Sequence, residues 1–135
     1  MTHPVSTQDI IAGVRRWRFT VDGPLCGYRA GLSRKGIWDP RYRDFKGKVW
    51  VLALEAGFDG RKVDPRERVV RLGVFVFWKG RPRVDWKNIY GGIEDALFHQ
   101  DRYVQPGPVN GFSMNSGRPC ECAEIVIEIG EGSTF

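Results

Sequence analysis

Apolar and polar side chains alternate from Arg16 to Val21, with Trp17, Phe19 and Val21 on one side and Arg16, Arg18 and Thr20 on the other. A period of two predicts a half-buried β-strand. Ala123 to Ile129 repeats the pattern, setting Ile125, Ile127 and Ile129 against Glu124, Val126 and Glu128. Val69 to Trp78 becomes apolar on both faces towards its end, which predicts a central strand. Two other stretches follow a period of three to four. Tyr42, Phe45, Val49, Leu52 and Ala56 share one helical face, opened by Asp39-Pro40 and stopped by Gly57. Arg41, Arg43, Asp44 and Lys48 occupy the opposite side, which suits a solvated face at least as well as a nucleic-acid contact. A second helix is predicted from Trp86 to Phe98, with Asp85 at the N-cap and Ile89, Ile93 and Leu97, with Ala96 beside them, as the buried stripe. Gly91-Gly92 weakens that helix by ~1 kcal/mol per residue relative to Ala, so a close neighbour is expected there. Ser6 to Val14 reads as a short helical arm capped by Ser6 or Thr7.

Between these elements the chain is irregular. Asp22 to Trp38 is a long loop with four glycines, Pro24, Tyr28 and the cations Arg29, Arg34 and Lys35. A loop of this length inside a small domain is usually functional or mobile. Gly60 to Arg68 is a charged connection, and Lys79 to Pro82 a turn. Gln105 to Pro119 is rich in Pro, Gly, Asn and Ser, with room for one further strand between Tyr103 and Ser113. The order strand, helix, strand, helix, strand predicts a single small α/β (α+β) domain over residues 1–135, with residues 1–14 as an N-terminal arm. One mixed sheet would carry two main helices.

Composition narrows the function classes. Lys and Arg number 21 against 16 acids, for a net charge of +5, and fifteen of the cations are Arg. Arg grips phosphate with a planar fork, so the charge suits a polyanionic partner, and it suits equally a soluble protein that happens to be basic. Three cysteines form no paired framework, which fits a reducing compartment. No apolar run reaches membrane-spanning length and the N-terminus has no signal-peptide core, so a cytoplasmic protein is expected.

Three acids surround the second helix: Asp85 before it, Asp95 within it and Asp101 after it. Phosphodiester hydrolysis needs an activated water and neutralised phosphate charge, which Mg²⁺ bound by carboxylates provides. Spacing alone also fits Asp85 as a helix cap, Asp95 as a surface acid and Asp101 as a loop residue. Twelve helical residues span ~18 Å, so Asp85 and Asp101 meet only if the chain folds back or a second subunit contributes.

The stretch from Arg81 to Val104, RPRVDWKNIYGGIEDALFHQDRYV, resembles the signature of the RusA-type Holliday-junction resolvases. In that pattern Asp-x-Asp-Asn opens a helix and a Lys follows four residues after the second Asp. Asp-Ala-Leu closes the helix, and an acidic pair with a nearby Val comes next. Asp85 and Asn88 match the opening, Asp95-Ala96-Leu97 the close, and Asp101 with Val104 the acidic pair. Phe19 to Pro24 is similar to the family's first strand and Gly-Pro turn, and Asp39 to Lys46 to the start of its first helix. The likeness runs from about Arg16 to Ile129.

The resemblance implies a RusA-like fold and a metal-dependent endodeoxyribonuclease that resolves branched DNA. Asp85 and Asp101 would ligate Mg²⁺ or Mn²⁺, Asp95 would assist or orient, and Lys87 would contact the scissile phosphate. Arg29, Arg34, Lys35, Arg81 and Arg83 would hold the DNA backbone. No small-molecule cofactor is implied. Paired cuts on a near two-fold junction imply a homodimer, with Trp50, Trp78 or Trp86 as apolar material for its interface. Departures from the pattern are specific. Lys87 stands at the second Asp, Gly91 at the motif Lys and Gln100 at the first acid of the pair, and the segment between Leu97 and Asp101 is shorter. Lys87 reaching over the small Gly91 would restore the lost cation. Alternatively, Lys87 would replace metal with fixed positive charge, leaving a RusA-like module that binds branched DNA without cutting it.

Overall fold

The computed structural model describes residues 7–11, 13–27, 40–98, 103–107 and 109–130, with backbone only for 7–11. Six strands form one mixed sheet: β1 (Thr7–Ile11), β2 (Val14–Asp22), β3 (Val70–Phe77), β4 (Gln105–Pro106), β5 (Gly111–Ser113) and β6 (Cys122–Gly130). Two α-helices, α1 (Pro40–Glu55) and α2 (Trp86–Leu97), and a short 3-10 turn (Gly60–Lys62) complete the described fold. The strand order is β1-β2-β6-β3-β4, with β5 pairing further along the β3 edge that β4 occupies. The long antiparallel ladders β2·β6 and β6·β3 make the centre, and β4 and β5 join β3 in parallel. The α+β class, the mixed sheet, its central third strand and both main helices agree with the sequence pattern.

Register explains the core. Trp17, Phe19 and Val21 lie opposite Ile127, Ile125 and Ala123, which in turn lie opposite Leu72, Val74 and Val76. These nine residues therefore share one face of the sheet. Both helices pack on it, contributing Phe45, Val49, Ala53, Ile89, Ile93 and Leu97 to the same buried cluster. Trp78 follows β3 into that cluster, so it is not available to an interface between copies. Phe58 locks the far corner, edge-on to Trp17 at 5.2 Å and to Phe98 at 5.7 Å. On the other face Arg16 reaches buried Glu128 at 2.6 Å. Arg118 lies 3.5 Å over the Phe77 ring and bonds Glu124 at 3.2 Å. Long Arg side chains thus shield the outer apolar positions.

Two expectations change. The N-terminal stretch is not a helical arm. Thr7–Ile11 is strand β1, paired antiparallel with β2, and Gly13 just before β2 has φ +78°. A hairpin turn with positive φ matches the strand twist, and the β2 partner outweighs a weak local helix preference. The further strand sought between Tyr103 and Ser113 occurs as two pieces, β4 and β5. Between them Asn110 replaces ladder bonds with its side chain, accepting from Val74 N at 2.8 Å and donating to Gly107 O at 2.9 Å.

Candidate nucleic-acid and metal site

Helix α2 crosses the sheet antiparallel to β3 and is pinned there by two side chains. Trp86 Nε1 donates to Val74 O at 3.1 Å, and Tyr90 Oη donates to Leu72 O at 3.0 Å. Burial pushes the Tyr90 phenol well above its ordinary value, with the Glu94 charge adding to the effect, so the hydroxyl stays a donor. These bonds orient the first turn of α2, which presents Asp85 and Lys87 to solvent. Asp85 occupies the N-cap in extended conformation, φ −60° and ψ 137°, but its side chain makes no capping hydrogen bond. Its carboxylate is therefore exposed without the backbone partner that a cap would have.

The root of the basic loop lies against this turn. A methyl group on Gly27 would come within 2.5 Å of Val84 Cγ1 and 2.8 Å of Asn88 Cβ, so only glycine permits the approach. A methyl group on Gly92 would lie 3.1 Å from the Tyr42 ring and 3.6 Å from the Cys26 carbonyl, a tighter fit than usual that supplies the close neighbour expected at the glycine pair. Glu121 fixes the loop root. It accepts from Leu25 N at 2.7 Å and from Arg83 Nε at 2.9 Å, and it also receives Arg83 Nη2. Its own carbonyl accepts from Gly23 N at 2.7 Å. Arg83, expected on the DNA backbone, thus commits two of its three nitrogens to Glu121 and keeps Nη1. Arg81 is exposed nearby in sequence. Arg29, Arg34, Lys35 and Asp101 lie outside the described residues.

Asp95 belongs to a different neighbourhood. It accepts from Lys46 Nζ at 2.5 Å and from Tyr42 Oη at 3.2 Å, tying the end of α2 to α1. Ten helical residues separate it from Asp85, ~15 Å along the axis, so one ion cannot bridge the two within a subunit. Asp95 also borders a cleft of about 240 Å³ lined by Trp50, Arg61, Ala96, Leu97 and Phe98. The structure thus brings Asp85, Lys87 and the loop root together and separates Asp95 from them. Among the described residues no three His, Cys, Asp or Glu side chains converge as a metal-holding group. Likewise, no described helix is long and apolar enough to cross a membrane.

Sequence reasoning missed Glu121, Lys46 and Tyr42. Their partners lie 38, 49 and 53 positions away, and no local spacing signals such pairs. The sequence matches no family model and no curated protein.

The Glu121 clamp carries a pH signature. Burial raises its carboxyl pKa, but the Arg83 hydrogen bond, the Leu25 N–H and the Arg83 charge together outweigh that and hold it below 4.5. A depressed acid stabilises the fold fully above its unfolded value and loses that contribution as pH falls through the folded value. Glu121→Gln should therefore be less stable than the parent at pH 7, with the gap closing below about pH 4. Urea midpoints across that range measure it, and a gap that widened on acidification would contradict the clamp.

Proposed function

We propose that this protein is a RusA-like endodeoxyribonuclease that cuts branched DNA with the help of Mg²⁺ or Mn²⁺. The observation that carries the reading is the packing of the basic-loop root onto the first turn of α2, beside an uncapped Asp85 and an exposed Lys87. Cations, a free carboxylate and a helix N-terminus whose orphan N–H groups favour anions are the parts a phosphate-processing surface needs. A hard carboxylate oxygen suits Mg²⁺, and Asp85 with Asp101 would hold the ion. The metal would supply water activation and charge neutralisation at the phosphate. Lys87 would steady the scissile phosphate, while Arg81, Arg29, Arg34 and Lys35 hold the flanking backbone. Arg83, through Glu121, would shape the loop root and offer Nη1 to a phosphate. Asp95 would orient α2 through Lys46 and Tyr42.

A second reading, a non-cleaving module for branched DNA, draws on the same surface. It is favoured by the Lys46–Asp95 ion pair, which neutralises one of the three expected acids, and by Lys87 at the position of a family Asp. Incubation with a four-way DNA junction, with and without Mg²⁺ or Mn²⁺, separates the two. Paired, metal-dependent cuts are expected. A shifted but intact junction under every metal condition would establish the non-cleaving reading instead. In either case the logarithm of affinity should fall steeply and linearly with that of salt concentration. Salt-insensitive binding would remove the loop cations from the interface.

A further inference from the structure

The cleft beside Asp95 stands apart from the Asp85 turn, and its walls combine three kinds of chemistry. Its volume of about 240 Å³ lies below the ~300–1,000 Å³ of pockets for drug-sized ligands, so it suits one ring system. Ala96, Leu97 and Phe98 give it an apolar lining. Trp50 comes from α1, and the Arg61 guanidinium lies over its ring, 5.5 Å from the centroid. A flat ring beside a flat guanidinium is a stacking surface for a planar group.

Asp95 supplies acceptors. Lys46 Nζ and Tyr42 Oη both donate to Oδ2, and among the described residues nothing donates to Oδ1. A carboxylate oxygen can accept two hydrogen bonds, so Oδ1 keeps its capacity. The Asp95 side chain is 34% exposed, within reach of a ligand. Arg61 supplies a donor. It spends Nε and Nη2 on Asp59 and keeps Nη1. Lys62, next to it, is exposed.

Charge narrows the ligand. Lys46 at 2.5 Å and Arg61 on the same cleft surround Asp95 with positive charge, which disfavours an amine or guanidinium. The ligand must therefore bring neutral N–H donors to Asp95, a planar body to Trp50 and Arg61, and an anionic group to the cations. A nucleotide has all three. Proteins read an unstacked base by stacking its face and bonding its pairing edge. Of the common bases, guanine sets two adjacent N–H donors on that edge, at N1 and the 2-amino group. Adenine and cytosine set a ring-nitrogen acceptor beside their amine, and uracil flanks its single N–H with carbonyls.

We infer that this cleft binds one unstacked guanine nucleotide. The base lies against Trp50 and Arg61 with its N1 and 2-amino edge on Asp95 Oδ1, and its phosphate meets Arg61 Nη1 and Lys62. The site does not rest on the nuclease reading. Asp95 is ~15 Å along α2 from Asp85, and that reading gives Trp50 and Arg61 no role in the chemistry. The nucleotide has two sources, free guanosine monophosphate (GMP) and an unpaired guanine within a strand.

Titration of the full chain with GMP, without junction DNA, tests the inference through amide and indole N–H resonances. GMP should shift the Trp50 indole and the amides around Asp95 saturably. Inosine monophosphate (IMP), which lacks only the 2-amino group, should bind about tenfold or more weakly, as one hydrogen bond to a charged acceptor is lost. Uridine monophosphate (UMP) should bind more weakly still. Trp50→Ala should lower GMP affinity about tenfold through lost stacking. Asp95→Asn should bring GMP and IMP to similar affinities, whereas mere loosening of α2 would weaken both alike and preserve their ratio. Asp85→Asn should bind GMP as the parent does, whatever becomes of junction cleavage. A trinucleotide d(TGT) that binds more tightly than both GMP and d(TTT) would make a strand the source, and d(TGT) no tighter than GMP would make it the free nucleotide. Equal affinities for GMP, IMP and UMP would overturn the inference and leave a phosphate contact only. So would Trp50 and Asp95 resonances unmoved by millimolar GMP, or a GMP preference over IMP that survives Asp95→Asn.

Discussion

Gly60→Ala is expected to destabilise the domain by about 3 kcal/mol, near the top of the range for overpacking. A methyl group at this position would overlap the carbonyl oxygen of Leu97, a backbone atom at the last turn of α2. That oxygen cannot swing aside as a side-chain tip does. Either α2 lifts from the 59–62 turn or the turn shifts. The turn has little slack, because Asp59 caps it through Arg61 N at 3.0 Å. Lifting α2 disturbs Phe98, whose ring is edge-on to Phe58, and Phe58 supports Trp17 in turn. The strain therefore reaches the centre of the core, which is packed too tightly to absorb it. For a domain of this length about 3 kcal/mol corresponds to a melting temperature lowered by about 10 °C. Gly47→Ala is the matched control. Gly47 sits on the exposed side of α1 with nothing within 4 Å of an added methyl, so the helix propensity of Ala should raise stability by up to ~1 kcal/mol. Urea and thermal unfolding of both variants measure the contrast. Equal stabilities would mean that the close approach of Gly60 to Leu97 is wrong.

The contrast between these glycines marks where sequence reading stops. Periodicity located β2, β3, β6 and both helices because each buries one regular face, and burial is encoded locally by spacing two or three to four. It failed at Thr7–Ile11, where the deciding factor is the partner strand, which local periodicity does not encode. β4 and β5 fared similarly. They are two and three residues long, and Asn110 mends the ladder between them with a side chain. The candidate site divides along the same line. Asp85 and Lys87 are legible because the period of three to four that follows them marks where a helix opens. The sequence groups Asp95 with them, yet Lys46 and Tyr42 from α1 capture it. Arg83 is expected on a phosphate backbone, yet Glu121 takes two of its nitrogens. Ion pairs between distant segments leave no spacing to read.

Asp85→Asn should reduce junction cleavage by about 100-fold or more while leaving binding intact. The expected split follows from the uncapped N-terminus of α2. An N-cap Asp that bonded the first-turn N–H groups would stabilise the helix, and its loss would lower activity by loosening the fold. Asp85 makes no such bond, and an amide is nearly isosteric with the carboxylate. Stability should therefore change by only a few tenths of a kcal/mol. Affinity for the junction should hold or rise, because one negative charge beside the phosphates is removed. The salt dependence of binding should not change, since no cation is lost. Lys87→Ala should give the complementary result. On the proposed function it loses a phosphate contact, so affinity should fall and the salt slope become shallower by about one unit. Electrophoretic shifts over a salt series, beside metal-dependent cleavage rates, read both variants in one set of experiments. Parallel loss of binding and cleavage in Asp85→Asn would make Asp85 a structural residue and remove it from the metal site. Cleavage at the parent rate would do the same, since one ligand of two cannot be dispensable to an ion that performs the reaction.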